Sequence, residues 1–198
     1  MTARHRGAVL AAVLLVPVLS ACTTVDHTST GASAIPAPTG SPAPAAYDLQ
    51  LRGVLDVANA QTGQCSVPAP PTPDAAQQAS LCSADRTLLY TLAPAAVAGA
   101  EVSSVEAVFS SARPVVRVSV TPQGGAGLVR LTTEASTASP PRNQVALVSG
   151  GRVQTALPVT DTIDGQVLEI TGFDSIDAAR AAAALLGPSA SPSATSAS

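Results

Sequence analysis

Lysine and tryptophan are absent from the 198 residues, and the two histidines, His5 and His27, both lie near the amino terminus. Each gap closes a class of chemistry. Without Lys there is no side-chain amine for a Schiff base and no cation of the P-loop kind for a phosphate. Without His beyond His27, a Ser-His-Asp or Cys-His arrangement is unavailable in the rest of the chain, as is a His-based metal site. Tyr47, Tyr90, Phe109 and Phe173 are too few for the stacking platforms that sugars and bases use. Basic charge is scarce as well: with Arg4 and Arg6 set aside, 8 Arg face 13 Asp and Glu, a balance near −5. That balance, with no basic patch, excludes nucleic acid as an expected partner. Finally, the one long apolar run, residues 8–19, is shorter than the roughly 20 residues a transmembrane helix needs.

What is present begins with that run. A basic start at Arg4 and Arg6, the apolar stretch and then Leu19-Ser20-Ala21-Cys22 read as a signal peptide over residues 1–21. The four residues are similar to the lipobox of bacterial lipoproteins, in which the Cys thiol accepts a diacylglyceryl group. Lipidation of Cys22 is therefore expected, with two or three acyl chains holding the protein to the extracytoplasmic face of the cell membrane. Residues 22–46, rich in Thr, Ser, Pro, Gly and Ala, bury too little surface to offset chain entropy and are expected to form a disordered tether. The tail, residues 188–198, reads the same way. One folded domain is left, residues 47–187.

Within it, Cys65 and Cys82 are expected to form a structural disulfide, as an isolated pair does in an oxidising compartment. Closing the loop contributes about 3 kcal/mol in the chain-entropy model. A redox pair would want Cys-x-x-Cys spacing and an activating cation, and only Arg86 is near. Among carboxylates, Asp161 and Asp164 lead to Gly165 and suit a turn; Asp174 and Asp177 suit the cap of a last helix. An enzyme would have to draw on groups such as Asp161, Asp164 or Glu169, and calcium would want a repeated Asp-x-Asp loop that is missing. Gly124, Gly125 and Gly127 match neither phosphate-binding pattern; they read as a flexible or close-packed helix start after Thr121 and Pro122. No catalytic residue, cofactor or metal ligand is nominated.

The periodicity predicts strands at Leu49, Leu51 and residues 54–58, then at residues 88–92 with Pro94 as the stop. Residues 98–109 are ambiguous, with Val102, Val105 and Val108 three apart, and read as a short helix or loop passing into a strand. Val116, Val118 and Val120 share one strand face. Pro122–Ser136 carries Leu128, Leu131 and Ala135 at helical spacing. Residues 144–148 and 152–157 form a hairpin through Gly150-Gly151, residues 166–171 form another strand, and residues 174–186 a helix with Ile176, Ala179, Ala183 and Leu186 inward. The expected class is α+β, an antiparallel sheet with helices packed on one face.

The order of these pieces resembles a known family. Val118-Ser119-Val120-Thr121-Pro122-Gln123-Gly124, then Leu131-Thr132-Thr133-Glu134, Val145-Ala146-Leu147-Val148 with Gly151-Arg152-Val153, and Ile163-Asp164-Gly165-Gln166-Val167-Leu168-Glu169-Ile170-Thr171-Gly172-Phe173 look like the head subdomain of the first periplasmic domain of SecD and SecDF. Ala178-Ala179-Arg180 with Leu185-Leu186 continue it. Residues 82–99 resemble actinobacterial SecD in particular, which supports a paired Cys arrangement. The hairpin departs from the family at Val153-Gln154-Thr155-Ala156-Leu157-Pro158, where Ser-Ala-Pro is usual. SecD's membrane segments, which with SecF couple proton flow to export, have no match here. The resemblance implies a non-catalytic module on a lipid tether that engages unfolded or exported polypeptide, an envelope partner or Sec translocon components. The rival expectation is a lipoprotein that binds a small molecule or cell-wall component and reuses the fold.

Overall fold

The computed structural model describes residues 47–65 and 69–187. The expected signal peptide, Cys22, the tether and the tail lie outside them. In chain order the elements are β1 (Gln50–Asn59), β2 (Ala79–Cys82), β3 (Leu88–Val97), a 3₁₀ turn (Gly99–Glu101), β4 (Val102–Ser110), β5 (Arg113–Val120), α1 (Pro122–Ser136), β6 (Gln144–Ser149), β7 (Arg152–Pro158), β8 (Val167–Ile170) and α2 (Ile176–Leu186). The strands form a five-stranded sheet, β2-β3-β1-β6-β7, and a three-stranded sheet, β4-β5-β8. Every ladder is antiparallel. The α+β class read from the sequence holds, with the strands divided between two sheets.

One face of each sheet shares a core with both helices. Leu49, Leu51, Val97 and Leu147 meet Val116, Val118, Val120, Leu128, Leu168 and Leu186 there, and each fully buried side chain of this size is worth about 1.5–3 kcal/mol. α1 starts as its sequence predicts: Thr121 Oγ1 accepts from the Gly124 N–H at 3.2 Å, and Pro122 takes the first helical position. α2 is capped differently from expectation. It begins at Ile176, and Ser175 rather than Asp174 supplies the cap, its Oγ accepting from the Ala178 N–H at 3.1 Å. Asp177 instead pairs with Arg180 at 2.8 Å.

Two departures in the strands have one cause, a register shift. Pro94 does not stop β3, which continues to Val97. Arg52 pairs with Ala95 and Val54 with Leu92, so Pro94 falls in the irregularity between them, and β2, which begins at Ala79 opposite Leu92, does not reach it. A missing N–H is tolerated at such a bulge. Residues 98–109 resolve into the 3₁₀ turn and β4. The ladder with β5 shifts between Val102 and Ser104, and the extra residue resets the alternation so that Val102 and Val105 both reach the core.

The other face of the five-stranded sheet closes on itself. Ser83, just past β2, bridges Val153 of β7, and the Ala84 N–H donates to the Val153 carbonyl at 2.9 Å. Val54, Leu81, Tyr90, Leu92, Ala146, Val148 and Val153 fill the inside, with all five strands contributing. Bulges in β1 supply the curl.

A Pro-rich segment straps this curl. Arg52 is 0 % exposed. Its Nη1 donates to the Gln77 carbonyl at 2.6 Å and the Ala93 carbonyl at 2.9 Å, its Nη2 to the Asp74 carbonyl at 2.7 Å and its Nε to Gln50 Oε1 at 2.8 Å. Gln50 Nε2 donates to the Pro73 carbonyl at 2.9 Å. Gly151 adopts φ 66° in the β6–β7 turn and lies so close to the Pro70 carbonyl that a Cβ would overlap it. Its N–H donates to Thr72 Oγ1 at 3.2 Å. Burial lowers the Arg52 pKa and Asp74 partly restores it, but a guanidinium stays charged in proteins. A disulfide joins Cys65 to Cys82 with the Cα atoms 5.8 Å apart, fixing the segment to β2.

Candidate functional site

The carboxylates singled out in the sequence do not assemble into acid–base machinery. Asp161 and Glu169 both line an open cleft of about 390 Å³ between the end of β7 and β8. Glu169, however, is paired with Arg117 at 2.8 Å. Hydrogen bonding from Arg117, then from Ser110, holds its pKa below the ordinary carboxylate range, whereas a general acid needs a raised one. Asp161 accepts from Thr160 Oγ1 at 3.0 Å, and Asp164 and Asp174 are exposed. Among the described residues no group of three or more His, Cys, Asp and Glu is placed to hold a metal.

The glycines of α1 serve close approach. A Cβ on Gly124 would lie 3.0 Å from the Cβ atoms of Glu101 and Val120, and one on Gly125 would lie 2.8 Å from Gln166 Cγ. On Gly127 it would overlap the Ala96 carbonyl. These positions hold the helix against its neighbours, so of the two readings of this start, flexible or close-packed, the structure has the close-packed one.

Binding surface is offered elsewhere. A groove of about 710 Å³ runs between the C-terminal half of α1 and the β1–β3 ribbon. Gly53, Leu55, Ala93 and Leu131 lie along its floor, and Arg130, Glu134 and Arg142 are exposed at its rim. A Cβ on Gly53 would stand 3.4 Å from Leu131 Cδ1, so this glycine deepens the floor. The groove exists because neighbouring strands differ in length. β6 pairs with β1 only from Gln50 to Gly53, and from there to Asn59 β1 has β3 alone as partner. Its other edge therefore carries no strand among the described residues. Such an edge is where an extended segment adds to a sheet.

Arg130 and Arg142 have no ion pair or side-chain hydrogen bond among the described residues. Sequence reasoning singled out neither. They lie on opposite sides of a helix end, and only the fold brings them to one groove. A second, apolar cleft of about 240 Å³ lies between β7, β8 and α2, with Leu185 65 % exposed at its edge.

A family model described as the P1 head subdomain of SecDF matches residues 76–191. Two solved structures are similar to this chain. The crystal structure of SecDF in its super-membrane-facing form has 25% sequence identity and a TM-score of 0.44, over 71% of this chain and 18% of that one. A second, of a membrane component SecDF that enhances protein export, has 23% identity and a TM-score of 0.44, over 71% of this chain and 61% of that one. The chain thus spans less than a fifth of the length of the first and about three-fifths of the second. No curated protein sequence matches.

Proposed function

This chain belongs to the SecDF P1 head subdomain family, and on that premise we propose that it is a non-catalytic extracytoplasmic module that engages extended polypeptide in support of protein export. The observation that carries the reading is the groove beside the unpaired edge of β1. An extended segment that runs along the free edge of β1 gains main-chain hydrogen bonds there, enters the groove at Val54 and Leu55, and meets the small side chains of α1 beside it. Attachment on this reading comes from lipid on Cys22. No helix among the described residues is long and apolar enough to cross a membrane, and residues 22–46 give the head reach from the surface.

The rival reading, a small-molecule or cell-wall binding lipoprotein, finds less support. The apolar cleft beside α2, at about 240 Å³, falls below the roughly 300–1,000 Å³ of ordinary ligand sites, and the clefts of about 390 and 710 Å³ reach that range only as open grooves, where a small-molecule site encloses most of its ligand. Photocrosslinkers placed at Leu55 and Ala138 in living cells test the proposal. They should capture polypeptides in transit to the outside, and a crosslinker at exposed Asp164 should not. Equal capture at all three, or none at the groove, would sink it. A Cys22→Ser chain should leave the membrane fraction or stay unprocessed, with loss of any export phenotype.

A further inference from the structure

Charge at the groove points to a narrower class of occupant. Residues 47–187 carry 8 Arg and 12 Asp and Glu, so two arginines at one groove set it apart from an acidic surround. Arg52 is buried among carbonyls, Arg117 pairs with Glu169 and Arg180 with Asp177. Among the described residues Arg86, Arg113, Arg130 and Arg142 have no such partner, but Arg86 lies between β2 and β3 and Arg113 opens β5, whereas Arg130 and Arg142 rim the same groove. Glu134 sits one helical turn beyond Arg130, at a spacing that supports an ion pair, yet the two are not joined. The Arg130 fork is thereby left for a ligand. Arg142 stands two residues before β6, where a strand added along residues 54–59 would meet the end of β6.

We infer that the groove selects extended segments carrying one or two acidic side chains, a deepening of the polypeptide reading above on which it rests. A guanidinium takes a carboxylate through two parallel N–H···O bonds, which adds direction as well as charge. Glu134 keeps the local balance at a single positive charge, which suits a spaced carboxylate and disfavours a polyanionic surface. The alanines at 93, 95, 96, 135 and 138 leave room for main chain and slender side chains.

Fluorescence anisotropy on the purified full chain in neutral detergent tests this with labelled ten-residue extended peptides. They share one sequence and differ only in two positions, filled by Glu, Gln or Arg. The Glu peptide should bind about tenfold tighter than the Gln peptide at low salt, with the advantage shrinking as salt rises. Arg130→Gln and Arg142→Gln should each remove about threefold, and the double variant should erase the preference while the Gln peptide binds as before. Gly53→Leu, which fills the floor, should weaken both peptides alike. Equal binding of Glu and Gln peptides, or a preference that survives the double variant, overturns the selectivity and leaves the polypeptide reading standing. Binding of none of the three peptides overturns both. Arginine-dependent capture of anionic phosphatidylglycerol vesicles with no peptide preference assigns the rim to lipid and overturns the inference.

Discussion

On one face of the five-stranded sheet, Leu49, Leu51, Val97 and Leu147 pack against a second sheet and two helices. On the other, Val54, Tyr90, Leu92 and Val153 pack chiefly against one another, and an irregular segment closes the end. The first face is held by many similar apolar contacts, none of them unique. The second depends on a few specific ones: a buried guanidinium, a disulfide and a glycine beneath a carbonyl. A small apolar cluster inside a curled sheet buries limited area, so polar and covalent fastenings carry a larger share of its stability.

The largest single effect is expected at Arg52. Arg52→Ala takes the guanidinium from the part-buried carbonyls of Gln77 and Ala93, leaves Asp74 with the Gln77 N–H alone and empties the space of a fully buried side chain, and should cost about 4 kcal/mol in urea unfolding. Arg52→Lys should recover only part of that, because an ammonium lacks the fork. A loss under about 1 kcal/mol from Arg52→Ala would mean that the strap is dispensable. Next comes the other face. Leu128→Ala opens a cavity in the shared core and should cost about 3 kcal/mol, with amide exchange rising across the whole domain.

Replacing Cys65 and Cys82 together by Ser should cost about 2–3 kcal/mol. Exchange should then rise first in residues 69–82 and last in α1 and α2. Uniform acceleration would deny that the two faces open separately. The smallest effect concerns pH. Asp85 accepts from Ser83 Oγ and from the Thr87 N–H and Oγ1, and these bonds lower its pKa. A carboxylate whose folded pKa is depressed contributes stability above its unfolded value and loses it as pH falls through the folded one. The gap in Tm between the wild type and Asp85→Asn should therefore be open at pH 7 and narrow toward pH 3. A constant gap would remove Asp85 from the account.

The difference between the faces also decides what was legible in the sequence. Val116, Val118 and Val120 announce a half-buried strand, Thr121-Pro122 a helix start and Gly150-Gly151 a tight hairpin, because each signal is local. Periodicity reports which face is buried and not which sheet a strand joins, so the division into two sheets went unread. The curl was hidden for another reason. β2 is four residues, Ala79–Cys82, with no alternating pattern. Pro94 reads as a stop unless the opposing bulge is known. Nothing local marks Arg52 as buried, since its carbonyl partners lie 22 to 41 positions away. The groove is less visible still. It arises from a strand of 10 residues beside one of 6, a mismatch that no single segment encodes.

The glycines of α1 have a consequence in time as well as in space. Gly124, Gly125 and Gly127 let the helix lie against Glu101, Gln166 and Ala96, but each lowers its intrinsic helix propensity by about 1 kcal/mol. A 15-residue helix so weakened has no stable existence before its docking surface is built. The order of assembly is thereby constrained: sheets first, α1 after. Contacts made by the first half of α1 belong to the far side of the folding barrier. Loosening them should speed unfolding and leave the rate of folding nearly untouched.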